Sequence, residues 1–167
     1  MPNTPEFRLI EESRVFTAKS DDVHHKLGID CIDCHNSYEL MGDGNLYAHQ
    51  EDQRVISCED CHFDGEPNTI AAENLDAESA IIASMRFGEI IGKRYLKTKQ
   101  RDIPLINTEY KNDTAYFYGK NSLKKYILTK PAEICTKGTA HDNVSCSACH
   151  SAWAPSCIGC QNEYDEM

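Results

Sequence analysis

Eight of the nine cysteines in this 167-residue chain fall into four C-x-x-C pairs: Cys31/Cys34, Cys58/Cys61, Cys146/Cys149 and Cys157/Cys160. His follows the second Cys in three of them, as His35, His62 and His150. The whole chain holds only seven His, so composition alone does not explain three trailing imidazoles in four trials. C-x-x-C-H is the attachment signature of c-type haem. Two thiols three positions apart can form thioether bonds to the two vinyl-derived carbons on one edge of the macrocycle. The adjacent imidazole then reaches the iron from the proximal side. A zinc ribbon also uses paired C-x-x-C, as four thiolates, but it leaves the trailing His without a role. A C-x-x-C disulfide is more often a redox motif than a staple.

The fourth pair departs from the pattern, reading Cys157-Ile158-Gly159-Cys160-Gln161. A Gln amide oxygen is a poor ligand for ferrous iron. Three readings stay open: a haem held by thioethers with Gln161 or nothing on its proximal side, a lost site whose thiols are free or oxidised, and a sequence altered at one base. The first is favoured by the number of remaining His. Cys135 has no motif partner and reads as a buried thiol or a disulfide partner. A zinc site built from Cys135, Cys157, Cys160 and a spare His is the minor alternative.

Removing the three proximal His leaves His24, His25, His49 and His141. Each lies shortly before an attachment motif. A second His on the iron closes its sixth position and makes a low-potential electron carrier. His49 and His141 are therefore expected as distal ligands, with His24 ahead of His25, or both serving two different haems. One isolated His would more simply be a surface or core residue.

Residues 1–20 read as an N-terminal lead-in with neither a basic nor an apolar leader region, so no secretory signal peptide is expected there. Haem attachment of this type happens outside the cytoplasm, so a mature piece or a segment of a longer protein is expected. Residues 21–67 carry two motifs and few apolar residues, too few for an ordinary core; a macrocycle beside each motif would replace one. Residues 68–134 hold neither His nor Cys. Leu75–Phe87 reads as a helix with Ile81, Ile82 and Met85 on one face and Gly88 as its stop. Arg94–Thr98, Leu105–Tyr110, Thr114–Tyr118 and Lys125–Thr129 read as strands, separated by turns at Lys111-Asn112-Asp113 and Gly119-Lys120-Asn121. This segment is expected as a helix plus a small antiparallel β-ribbon or sheet. Residues 135–167 return to haem motifs and are expected to pack with 21–67.

Charge excludes one class of partner. The formal net charge is −10 and the mean hydropathy −0.56. That acid excess argues against binding nucleic-acid phosphates, which needs clustered Lys and Arg. No apolar run approaches the roughly 18 residues that cross a bilayer, so no transmembrane segment is expected.

The motif-bearing stretches resemble multihaem c-type cytochromes of the extracytoplasmic bacterial electron-transfer type. His24-His25-Lys26-Leu27-Gly28-Ile29-Asp30-Cys31-Ile32-Asp33-Cys34-His35 is similar to their lead of His, short spacer and C-x-x-C-H. Met41-Gly42-Asp43-Gly44, then His49 and Cys58-Glu59-Asp60-Cys61-His62, continues it. Cys146-Ser147-Ala148-Cys149-His150 through Pro155 to Cys160 resembles a closing part. The likeness covers residues 21–67 and 135–164 and departs at Gln161. It implies a multihaem cytochrome c fold, with little regular secondary structure around stacked haems, short helices and the β insert. It implies electron transfer through three haem c groups, and a fourth at Cys157/Cys160, with mainly bis-His irons. Acceptors on the second nitrogen of each axial His are expected too. Asp30, Asp33, Glu59 and Asp60 lie beside the motifs and are candidates, although solvation of the surface is the simpler role. The implied partners are redox proteins or extracellular electron acceptors, with a second copy or a neighbouring cytochrome domain as a further option. The implied location is periplasmic or at the cell surface. Two other readings compete: a haem reductase or oxidase that binds a small molecule at an open fourth haem, and a subunit of a conducting assembly.

Overall fold

The computed structural model describes residues 7–10, 14–17, 23–36, 39, 42–135, 144–146 and 150. The chain divides into two compact units, Met1–Gly28 with Val144–Met167, and Ile29–Asn143. In the first, strands β1 (Phe7–Ile10) and β2 (Arg14–Thr17) form an antiparallel pair, with Phe7 opposite Thr17. The short helix α1 (Val23–Leu27) carries His24 and His25. It stops at Gly28, whose N–H donates to the His25 carbonyl at 2.9 Å with φ at 81°, a value that favours glycine.

The second unit holds one-turn helices α2 (Cys31–Cys34) and α3 (Cys58–Cys61), the longer helix α4 (Ala77–Phe87) and two three-stranded antiparallel sheets. One sheet orders β3 (Thr69–Ala71), β4 (Arg94–Lys97) and β5 (Pro104–Leu105). The other orders β6 (Thr108–Lys111), β7 (Thr114–Tyr118) and β8 (Lys125–Ile127). The stretch read as one strand over Leu105–Tyr110 is two strands in two different sheets. The break is chemical. Thr108 Oγ1 donates to the Leu105 carbonyl at 2.7 Å and accepts from Leu96 N–H at 2.9 Å. A buried hydroxyl thus turns the corner and ties one sheet to the other.

Strand β4 is the centre of the unit. Tyr95 and Leu96 are consecutive and both fully buried, so both faces of this strand are covered. On one face Tyr95 packs with Ala72 and Ala83, joined by Ile70, Leu75, Ile90 and Ile106. On the other, Leu96 packs with Leu105 and Ala115, joined by Ile56, Cys61 and Phe63 from around the second attachment motif. The core of the β segment therefore extends into the second C-x-x-C-H motif.

Helix α4 begins two residues later than the sequence periodicity indicates, because Asp76 caps it by accepting Ser79 N–H at 2.9 Å. It ends at Gly88, φ 70°. Its inward contact is Ala83, small enough to let the helix lie close on Tyr95. Ile81 and Met85 face outward, 58% and 82% exposed, so the apolar stripe seen in the sequence is not the packed face. Between β6 and β7, Asn112 and Asp113 take φ of 51° and 55°, the positive pair that a two-residue hairpin of right-handed twist requires.

Candidate haem-binding centre

In all three C-x-x-C-H motifs the His N–H bonds the carbonyl of the first Cys. The N–H of His35 donates to Cys31 O at 2.9 Å, that of His62 to Cys58 O at 2.8 Å, and that of His150 to Cys146 O at 2.9 Å. One helical turn places residues i and i+3 on a common face. In α2 and α3 this puts both thiols of a pair on one side and starts the imidazole directly after them.

An aspartate fixes each turn in the second unit. Asp33 accepts Asp30 N–H on Oδ2 at 2.9 Å, and Asp60 accepts Ser57 N–H on Oδ2 at 2.8 Å. Each carboxylate closes the start of its own helix from the third helical position. The remaining oxygens reach across the chain. Asp33 Oδ1 accepts Lys120 N–H at 2.5 Å, and Asp60 Oδ1 accepts Lys99 N–H at 2.9 Å. Lys99 lies two residues past the end of β4 and Lys120 two past the end of β7. Asn107 Nδ2 adds a bond to Asp33 O at 3.0 Å, and Lys120 Nζ one to His35 O at 2.8 Å. Gly119 permits the approach, since a side chain there would run into Ser122 and meet Asp33.

These two aspartates are 4% and 5% exposed. The expectation that they solvate the surface is therefore corrected, and so is the suggestion that they orient the imidazoles. That orientation comes from groups the sequence reading did not single out. His35 Nδ1 lies 2.8 Å from Glu39 Oε2, and His62 Nδ1 lies 2.8 Å from the Thr129 carbonyl oxygen. Neither oxygen can donate, so in each neutral ring Nδ1 carries the proton and Nε2 the lone pair. That is the tautomer an iron ligand needs when its other nitrogen is held. The i, i+4 spacing of His35 and Glu39 was visible in the sequence; a main-chain acceptor 67 positions from His62 was not.

Glu39 is itself held on both oxygens. Oε1 accepts Val55 N–H at 2.5 Å and Ile56 N–H at 3.0 Å, and Oε2 also accepts Asn36 N–H at 3.2 Å. Burial pushes its carboxyl pKa up, but the bonds from His35, Ile56 and Val55 outweigh this and hold it at about 2. The thiols go the other way. Burial, with Cys31, Cys58 and Asp33 nearby, raises Cys34 to about 11 against the pull of Lys120; burial with Cys34, Asp60 and Cys58 nearby raises Cys61 to about 12. Both cysteines are half-buried, and Cys34 is among the groups that raise Cys61.

His49 is exposed and sits in a loop with a firm base. Asp43 accepts Tyr47 OH on Oδ2 at 2.6 Å, Arg101 at 3.1 Å and Asn45 N–H on Oδ1 at 3.0 Å. Arg101 also donates to the Asp52 carbonyl at 2.6 Å and stacks over the Tyr47 ring at 5.1 Å. His24 is half-buried, and His25, Cys146, His150 and Cys135 are exposed. Cys149, Cys157, Cys160, Gln161 and His141 lie outside the described residues.

Among the described residues no three His, Cys, Asp or Glu side chains converge as a metal cage, no cysteine is in a disulfide, and no helix is long and apolar enough to cross a membrane. A haem iron takes four nitrogens from its own macrocycle, so a motif supplies only one axial ligand and needs no such cage. What the chain does provide is two thiols on one turn and a tautomer-fixed imidazole, twice. The chain matches no protein-family model, no curated protein and no solved structure.

Proposed function

We propose that this chain is an electron-transfer module that holds several c-type haems. One observation carries the reading: in both motifs of the second unit, the imidazole that follows the thiol pair is turned by an Nδ1 acceptor so that Nε2 keeps its lone pair. Haem, when bound, supplies the iron that cycles between ferric and ferrous. The residues do the rest. Cys31 and Cys34, Cys58 and Cys61, and Cys146 and Cys149 anchor the edge of each ring, while His35, His62 and His150 supply proximal nitrogens. Asp33 and Asp60 clamp the two motifs of the second unit onto rigid strand ends, which fixes the distance an electron must cross. His49, His24, His25 and His141 are the distal ligands in this reading. Cys157 and Cys160 are the candidate anchors of a fourth haem which, with Gln161 in place of a proximal His, belongs to the open-iron alternative tested below.

The same chemistry assigns the chain to a periplasmic or cell-surface location, with redox proteins or extracellular acceptors as partners. Maturation in a host that attaches c-type haem, followed by absorbance spectroscopy, tests the reading. A six-coordinate low-spin spectrum, unchanged by carbon monoxide after reduction, is expected for bis-His irons. A Soret shift with carbon monoxide would instead favour an enzyme with an open iron. Colourless protein would end both.

A further inference from the structure

The Nδ1 partners of His35 and His62 differ in kind. Both Nδ1 atoms have an oxygen at 2.8 Å, but His35 faces a carboxylate and His62 a peptide carbonyl. The carboxylate is nearly sealed from water, its side chain 5% exposed. Donors from Asn36, Val55 and Ile56 keep it in one position.

We propose that Glu39 is a positioning and tuning residue that makes the His35 iron harder to reduce. This rests on the haem reading above. A carboxylate that accepts from Nδ1 draws that proton toward itself and pushes electron density onto Nε2. A stronger nitrogen donor favours the ferric state. Reduction would add one electron to the iron, so a fixed negative charge close by opposes it as well. The Thr129 carbonyl orients His62 equally well but carries no net charge. Lys120 works against Glu39: its Nζ bonds the His35 carbonyl at 2.8 Å and places a positive charge on the same motif. The carboxylate prevails because it bonds the ligating ring itself, whereas the ammonium reaches only the main chain.

Spectroelectrochemistry of the matured full chain tests this, with the haem count of each variant fixed by intact mass. In Glu39→Gln one reductive transition should rise on the order of tenfold in its equilibrium constant, about 59 mV for one electron, while the others stay in place. Glu39→Asp should restore part of the shift. Lys120→Met keeps the backbone bond to Asp33 and should lower the transition that Glu39→Gln raises; it serves alone if the Gln variant does not fold. Unchanged potentials at an unchanged haem count, or a common shift of all transitions, would overturn the proposal and leave the haem reading intact. Absence of covalent haem in the parent chain would instead remove the reading on which it rests.

Discussion

Asp33 and Lys120 lie 87 positions apart, and the carboxylate of the first accepts the main-chain N–H of the second at 2.5 Å. With the bond to Asp30 N–H, this makes Asp33 the joint between the first C-x-x-C-H motif and the end of β7. Asp33→Ala would leave two amide donors without their acceptor. Each unmade bond costs about 1–3 kcal/mol, and some of that returns as water reaches the exposed Asp30 side. A loss of about 3 kcal/mol is expected, read as a lowered denaturant midpoint with an unchanged slope.

The second joint has the same design and different neighbours. Asp60 binds Ser57 N–H and Lys99 N–H, at the end of β4. Asp60→Ala should cost a similar amount. The two aspartates share no hydrogen-bond partner, so the double variant should lose close to the sum, within about 0.5 kcal/mol. A double variant no less stable than either single one would mean that the two motifs release together.

Acid should open the His49 loop late. The bonds from Tyr47 OH and then Asn45 hold the Asp43 carboxyl at about 2, below its ordinary 3.8. A depressed folded-state pKa contributes stability that is complete above the unfolded value and disappears as pH falls through the folded one. The loop should therefore stay clamped at pH 4 and loosen between about 3.8 and 2. Carbon-detected NMR of the Asp43 carboxyl should give a midpoint near 2, moving upward in Tyr47→Phe. An ordinary midpoint near 4 in the parent chain would contradict the clamp.

The hairpin joining β6 and β7 offers a stabilising change. Asn112 tolerates its φ of 51° readily, but Asp113 at 55° is a place where Gly removes strain. Asp113→Gly also gives up a long 3.4 Å contact with Tyr110 OH and adds chain entropy to the unfolded state. The net gain should be on the order of 0.5 kcal/mol, seen as a rise in Tm. A fall would show that the Tyr110 contact outweighs the backbone term.

Much of the local structure was legible in the sequence because it is set by neighbours in the chain. The helix stop at Gly88 and the turn at Asn112-Asp113 follow from backbone preference at single residues. The single break in Leu105–Tyr110 was hidden, since a run of β-formers says nothing about the Thr108 hydroxyl taking both a strand carbonyl and a strand N–H. The outward face of α4 misled for a related reason: Ile81 and Met85 look like a core stripe, yet the close approach of Tyr95 selects Ala83 instead. In the site, thiols and imidazoles were readable from spacing alone. Their supports were not, because Asp33, Asp60 and His62 bond main-chain atoms dozens of residues away, and any residue type can present a peptide group.

The most direct test of the account is the intact mass of the chain after maturation in a host that attaches c-type haem. The account predicts a red protein whose mass exceeds that of its amino acids by at least three covalent porphyrin increments, four if Cys157 and Cys160 are also occupied, all retained in denaturant. A mass equal to the polypeptide alone would contradict it.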